Sequence, residues 1–195
     1  MDINWSYKNK SRVFDTKENG GVPYLSFKAL DDTGLAVNGF STRMGGASRG
    51  KFSTMNFSYS RGDAAEDVLE NFTRMAAALG VERDRMVVSH QTHTVNLRRV
   101  TLEDAGKGVI RERDYRDIDG LITDVPGLTL VTFYADCVPL YLLDPVNRAI
   151  GLSHSGWRGT VKRMGQVMVD AMKEAFGTKP EDLIACVGPS ICRDC

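Results

Sequence analysis

The 195-residue chain predicts a mixed α/β domain, of the α/β or α+β class. Three observations carry this prediction. Two segments, 63–80 and 157–177, have the apolar spacing and end residues of helices. Several short apolar runs around them have the length of strands. The runs do not alternate one-for-one with the helices, as they would in a simple doubly wound sheet.

The elements follow in order. Residues 1–20 are polar and charged and read as an exposed lead-in with one strand at its end. Residues 34–42 read as a strand, followed by a turn-rich loop from Arg43 to Gly50. Asp63 is a good N-cap. Val68, Phe72, Met75, Ala76 and Leu79 then recur at helical spacing until Gly80 stops the helix. Residues 86–90 read as a strand entering a His90-Gln91-Thr92-His93 turn, with 95–100 as its continuation. The charged, Gly-containing stretch 103–118 has no clear period and reads as a surface excursion. Two apolar stretches follow, 128–134 and 138–143, then a turn at 144–148 and a short buried strand at 149–153. Trp157 to Phe176 reads as one helix, closed by Gly177 with Pro180 beyond. Residues 183–187 form the last strand, ending at Gly188-Pro189-Ser190. There is no internal repeat, and residues 1–195 read as a single domain.

Composition narrows the function. Hydrophobic residues at 42% and charged residues at 26% are ordinary for a globular protein with a sizeable core. Lys+Arg and Asp+Glu balance at 25 each, which argues against nucleic acid as the main partner. No apolar run approaches the ~20 residues that cross a bilayer, so no membrane partner is expected. The start, Met1-Asp2-Ile3-Asn4-Trp5, lacks the basic and apolar regions of a signal peptide. The expected compartment is the reducing cytoplasm, where four cysteines serve as ligands, buried thiols or catalysts rather than disulfides.

All three histidines, His90, His93 and His154, fall in two short stretches, and Cys137 lies between two apolar runs. Two imidazoles and a thiolate, as in His93, Cys137 and His154, would hold zinc or another borderline-soft ion with a fourth position open for chemistry. The separations along the chain, 44 and 17 residues, are far longer than local metal motifs. Spacing alone therefore leaves open a buried thiol and two hydrogen-bonded histidines. On a strand, positions 90 and 93 face opposite sides, which favours His93 as the ligand and leaves His90 beside the site or at the surface. A third reading of the same residues is a metal-free hydrolase with Cys137 as nucleophile and His154 or His93 as base. Asp136, next to Cys137, is a candidate for orienting a ligand or shuttling a proton. Cys186, Cys192 and Cys195 lack a fourth ligand and read as thiols rather than a second zinc site.

Gln91-Thr92-His93, Ala135-Asp136-Cys137 and His154-Ser155-Gly156-Trp157-Arg158-Gly159 resemble the three signature blocks of the YfiH/laccase-domain family, also called polyphenol-oxidase-like. Ser41 to Ser48, Met55-Asn56-Phe57, Glu70-Asn71 and Gly188 to Ile191 fit in the same order, so the resemblance runs from about residue 37 to the end. It implies a layered α/β/β/α sandwich and a metal site at His93, Cys137 and His154; Gln91 and Asp136, close to these residues in the sequence, are candidates for orienting the ligands. It also implies a purine nucleoside phosphorylase acting on inosine, adenosine or methylthioadenosine, with adenosine deamination as a related activity. Such an enzyme would use a purine nucleoside and phosphate, zinc or alternatively copper, and no obligate protein partner. Members of the family usually continue for several dozen residues beyond Gly188-Pro189-Ser190-Ile191, so the chain is expected to be C-terminally incomplete.

Phosphorolysis needs cationic or N–H donors for phosphate. Arg43, in its Gly-rich loop, and Arg158, in the first turn of a predicted helix, can supply them. Asn56 and Asn71 are polar candidates for ribose or for local backbone contacts. Four-copper oxidase chemistry needs several histidines per metal cluster, and three histidines cannot meet it. A single copper in a His-Cys-His site remains the oxidase alternative, although no Met lies near Cys137 or His154 in the sequence to serve as an axial ligand.

Overall fold

A computed structural model describes residues 12–192. The chain divides into two compact units, residues 1–83 and 84–195.

The first unit opens with a hairpin. Strands β1 (Phe14–Asn19) and β2 (Val22–Phe27) pair antiparallel from Phe14 opposite Phe27 to Asn19 opposite Val22. The two-residue turn is Gly20-Gly21, both with positive φ (58° and 77°), the conformation a tight hairpin needs. β2 is buried at all six residues. It continues into a short helix, α1 (Lys28–Asp31). The predicted strand over 34–42 shrinks to β3 (Phe40–Ser41), which pairs with β2. The segment before it is irregular because Asn38 points inward, accepting a hydrogen bond from Phe27 N at 2.7 Å and donating to Asp31 at 2.8 Å.

Helix α2 (Ala65–Leu79) forms where the spacing predicts and stops at Gly80, φ 71°. Its buried face is Val68, Asn71, Phe72, Met75, Ala76 and Ala78. Met75 and Ala78 pack with Val22, Tyr24 and Met55. The capping residue differs from expectation. Ala64 occupies the cap, and Asp63 accepts from Ala64 N, Ser48 Oγ and Asn56 Nδ2, tying the preceding loop to the helix start.

In the second unit, β4 (Met86–Val88) pairs in parallel with β7 (Thr129–Val131). A five-stranded sheet has the order β10-β8-β9-β6-β5, from β5 (Leu97–Arg99), β6 (Gly120–Thr123), β8 (Val138–Asp144), β9 (Ala149–Ser155) and β10 (Ile184–Val187). The β5–β6 pair is parallel and the others antiparallel. β5 is thus not a continuation of β4 but belongs to the other sheet. β6, four buried residues directly after the charged run, had no sequence reading of its own.

The predicted helix 157–176 is two helices, α3 (Trp157–Val161) and α4 (Met164–Phe176), broken at Arg163 with φ 59°. Trp157, Val161, Met164, Met168 and Met172 stay in helical phase across the break, so their spacing conceals it. The break separates their fates. Trp157 and Val161 are 72% and 74% exposed, whereas the three methionines are fully buried against Ile122, Leu142 and Ala149. Burying each methionine stabilises the fold by about 1.5–3 kcal/mol.

Stretch 103–118 is irregular but is not only a surface excursion. Asp104, Lys107, Val109 and Tyr115 are buried. Lys107 Nζ binds Asp104 at 2.8 Å and Asp114 at 2.9 Å, and Arg98 binds Asp104 at 3.0 Å. Burial opposes the Asp104 charge, but Lys107, the Thr101 N–H and Arg98 outweigh it and hold the carboxyl below its usual range. Lys107 is raised by its hydrogen bonds to the two carboxylates. Asp104 therefore contributes stability above its unfolded pKa of about 3.9, lost as pH falls through its lower folded value. Lys107 contributes below about 10.4, lost as pH rises through its higher folded value. The urea midpoint is expected to hold between those limits and to fall in acid, with a smaller acid loss in Lys107→Met. An equal loss in that variant would remove the cluster as the cause.

No helix among the described residues is long and apolar enough to cross a membrane.

Candidate metal centre

The second unit brings the three candidate donors together through its sheet register. Pro139 lies opposite His154 and Val138 opposite Ser155, so Cys137, just before β8, faces Gly156, just after β9. Gly120 lies opposite Ser153, which sets Asp119 against His154, and His154 N donates to Asp119 O at 2.8 Å. His93 arrives from the turn after β4. The donor atoms of His93, Cys137 and His154 all lie within 4.8 Å of one another. The two rings sit edge to face with centroids 4.9 Å apart. His93 is exposed, Cys137 half-buried and His154 buried.

A carboxylate that the sequence reading did not single out organises this group. Asp119 is fully buried. Its Oδ1 accepts from His93 N at 2.9 Å and engages His154 Nδ1 at 2.9 Å. Its Oδ2 accepts from Thr92 N at 3.1 Å, Thr94 N at 2.9 Å and Thr94 Oγ1 at 2.8 Å. Burial opposes the charge, but the bonds from His154, Thr94 and Thr92 outweigh it and hold the carboxyl well below the usual carboxylate range. Both Asp119 oxygens already accept backbone N–H groups, so the bond to the ring suits a proton on His154 Nδ1, which in the neutral imidazole leaves the lone pair on Nε2. His93 takes φ 66°, a left-handed conformation rare outside glycine, within the turn that Asp119 grips. The available sequence signal was slight: Asp119 is the last acidic residue before a buried apolar strand.

Gly156 completes the cradle. A Cβ at this position would lie 2.8 Å from Cys137 Sγ and 3.1 Å from His93 Cδ2, so any side chain would crowd two donors. Burial raises the Cys137 thiol above its ordinary value, and the charges of Asp136 and Asp119 add to this. The group is two imidazoles and a sulfur, one imidazole fixed in a ligating tautomer, with bare backbone pressed against the sulfur. The donor set suits a single borderline-soft ion such as zinc or copper.

The remaining candidates occupy distinct surroundings. Gln91 Nε2 donates to Phe133 O at 2.6 Å, and its Oε1 accepts from Phe133 N at 2.7 Å and Ser89 Oγ at 3.0 Å. It therefore clamps the His93 turn to the segment that leads to Cys137. Asp136 is exposed, and the carboxylate on His154 is Asp119 instead. His90 lies outside the donor group; its Nδ1 accepts from Asp117 N at 3.2 Å. Arg158 is exposed with its guanidinium 5.2 Å from the Trp157 ring centroid. Cys186 is buried, Cys192 is exposed, and Cys195 lies outside the described residues.

Arg43, Asn56 and Asn71 belong to the first unit. The Arg43 guanidinium is exposed and donates to Ser53 O at 3.0 Å. Asn56 Nδ2 donates to Asp63 at 2.9 Å. Asn71 is fully buried, accepting from Ala47 N and donating to Ser48 Oγ and Asn56 O, all within 2.8 Å. Asn71 thus holds the 43–56 loop against α2. Asn71→Ala is expected to lower stability by about 2–4 kcal/mol, from three lost bonds and the buried groups left unpaired. Urea unfolding measures it, and a loss below about 0.5 kcal/mol would overturn this role.

A single three-donor group at strand ends of a mixed α/β fold defines a candidate one-ion centre. The chain belongs to the multi-copper polyphenol oxidoreductase laccase family, whose sequence model matches residues 37–195. It is 36% identical over 163 residues to the purine nucleoside phosphorylase YlmD of Bacillus subtilis (strain 168), covering 82% of this chain and 58% of the relative. It is 35% identical over 164 residues to the adenosine deaminase RL5 of an unknown prokaryotic organism, covering 82% and 61%. The crystal structure of the hypothetical protein YfiH of Bacillus licheniformis superposes with a TM-score of 0.83 at 31% identity, covering 92% of this chain and 66% of that one. The chain thus spans about three fifths of the length of the curated relatives it matches.

Proposed function

We propose that this chain carries the metal centre of a purine nucleoside phosphorylase acting on inosine, adenosine or methylthioadenosine, with adenosine deamination as a second activity. The observation that carries the reading is the convergence of His93, Cys137 and His154 with Asp119 behind them. The activities for which the YlmD and RL5 relatives are named support the substrate class. In this reading His93, Cys137 and His154 hold zinc, with copper as the alternative. The ion would supply Lewis acidity beside the purine or its departing sugar. Asp119 fixes the His154 tautomer. Arg158, in the same unit as the donors, is the candidate guanidinium for phosphate, and Arg43 and Asn56 are candidate phosphate and ribose contacts carried by the first unit. Asp136, exposed and next to Cys137 in the chain, is the candidate for moving a proton. The enzyme works in the cytoplasm on small molecules, without nucleic acid, membrane or an obligate protein partner.

The test is incubation of the zinc-loaded chain with each nucleoside, with and without phosphate. Free base that appears only with phosphate supports phosphorolysis, and ammonia from adenosine supports deamination. Release of neither overturns the proposal.

One observation favours a second reading. Asp119 bonds His154 at Nδ1, and the Cys137 sulfur lies within 4.8 Å of the His154 ligand atom, an order that suits an orienter, base and nucleophile, as in a cysteine hydrolase. Against it stands the second imidazole, His93, whose ligand atom belongs to the same 4.8 Å group.

A further inference from the structure

We infer that Asp119 is a positioning residue for both histidine donors at once, through a single oxygen. This rests on the metal reading above and assigns a role to a residue outside the donor set. Oδ1 takes the His154 ring at Nδ1 and the His93 backbone N–H, both at 2.9 Å. Oδ2 takes the two flanking amides, Thr92 and Thr94, and the Thr94 hydroxyl. Five donors saturate a carboxylate, which offers about four lone-pair sites. The two donors come from different strand ends, 61 residues apart in the chain, and no other described side chain bonds to both. Asp117 also braces the turn, accepting from Thr92 Oγ1 at 3.0 Å, but it bonds to neither His93 nor His154.

An asparagine at 119 cannot reproduce this arrangement. With its NH2 in the place of Oδ1, it faces the His93 N–H and the His154 Nδ1–H, donor against donor. With its NH2 in the place of Oδ2, it faces both threonine amides, and the turn that holds His93 loses its grip. Either way at least one histidine leaves its place, while size and shape are kept.

The experiment measures zinc affinity by competition with a chromophoric chelator in wild type, Asp119→Asn and Asp117→Asn, with thermal unfolding as a fold control. Long-range proton–nitrogen NMR of the imidazoles, recorded without metal, supplies a second readout. Losing one partner behind a ligand typically weakens metal affinity 10–100-fold. Asp119→Asn is expected to exceed about 100-fold, because either amide orientation displaces at least one ligand and one orientation displaces both, whereas Asp117→Asn stays within a few-fold. Wild-type His154 is expected to carry its proton on Nδ1. Zinc affinity in Asp119→Asn within threefold of wild type overturns the inference, as does an Nε2-protonated His154 in the wild type. If Asp119→Asn does not fold, the wild-type imidazole spectrum still decides. Wild-type protein that takes up no zinc yet keeps the Nδ1 tautomer removes the metal reading and retains the hold of Asp119 on His154. Wild-type zinc binding with an unaffected Asp119→Asn does the reverse.

Discussion

Cys137→Ala is expected to remove bound metal and nucleoside turnover together. The substitution leaves two imidazoles, one of them on an exposed turn, as the whole protein contribution to the ion. Loss of a direct ligand exceeds the 10–100-fold effect of losing a partner behind one, so zinc affinity should fall by more than about 100-fold. The fold should survive. Cys137 is half-buried and sits just before β8, and deleting one sulfur there costs about 1 kcal/mol. Metal content by elemental analysis, run beside base release from inosine, checks both halves. Turnover that vanishes while the metal stays bound would favour Cys137 as a nucleophile.

Gly156→Ala is expected to damage the centre while sparing the fold. The backbone at 156 has φ −75° and ψ −176°, open to any residue, so alanine introduces no torsional strain. The obstacle is the added methyl, 2.8 Å from Cys137 Sγ and 3.1 Å from His93 Cδ2. Overpacking of this kind costs about 1–3 kcal/mol. Because the atoms that must yield are the Cys137 sulfur and a carbon of the His93 ring, the cost should appear as about 10–100-fold weaker zinc binding. Zinc titration and thermal unfolding measured side by side separate the two effects. Unchanged zinc affinity would show that the donors tolerate the methyl, and would remove Gly156 from the cradle.

Much of the architecture was legible because local rules agree with the tertiary result. The α2 spacing from Val68 to Leu79 and its stop at Gly80 are written into consecutive residues. The three donors stood out because histidine is scarce and because their flanking blocks are distinctive. What escaped notice is written nowhere locally. Asp119 sits in a charged run, 111–119, and its role comes from partners on the 92–94 turn and at position 154, joined only by strand register. The α3–α4 break preserves helical phase, so periodicity passes through it unaltered. β2 fell between two readings, although the double glycine before it is a hairpin signal. The buried lysine at 107 was hidden because charge alone suggested solvent, and its carboxylate partners offset the penalty of burial.

The donor set also has a direction. His93 stands at its watery rim and His154 at its dry floor, with Cys137 between them. The exposed His93 imidazole stands on a perch fastened at its backbone N–H by Asp119. Perch and floor are bolted to the same oxygen, so the exposed and the buried donor share one anchor.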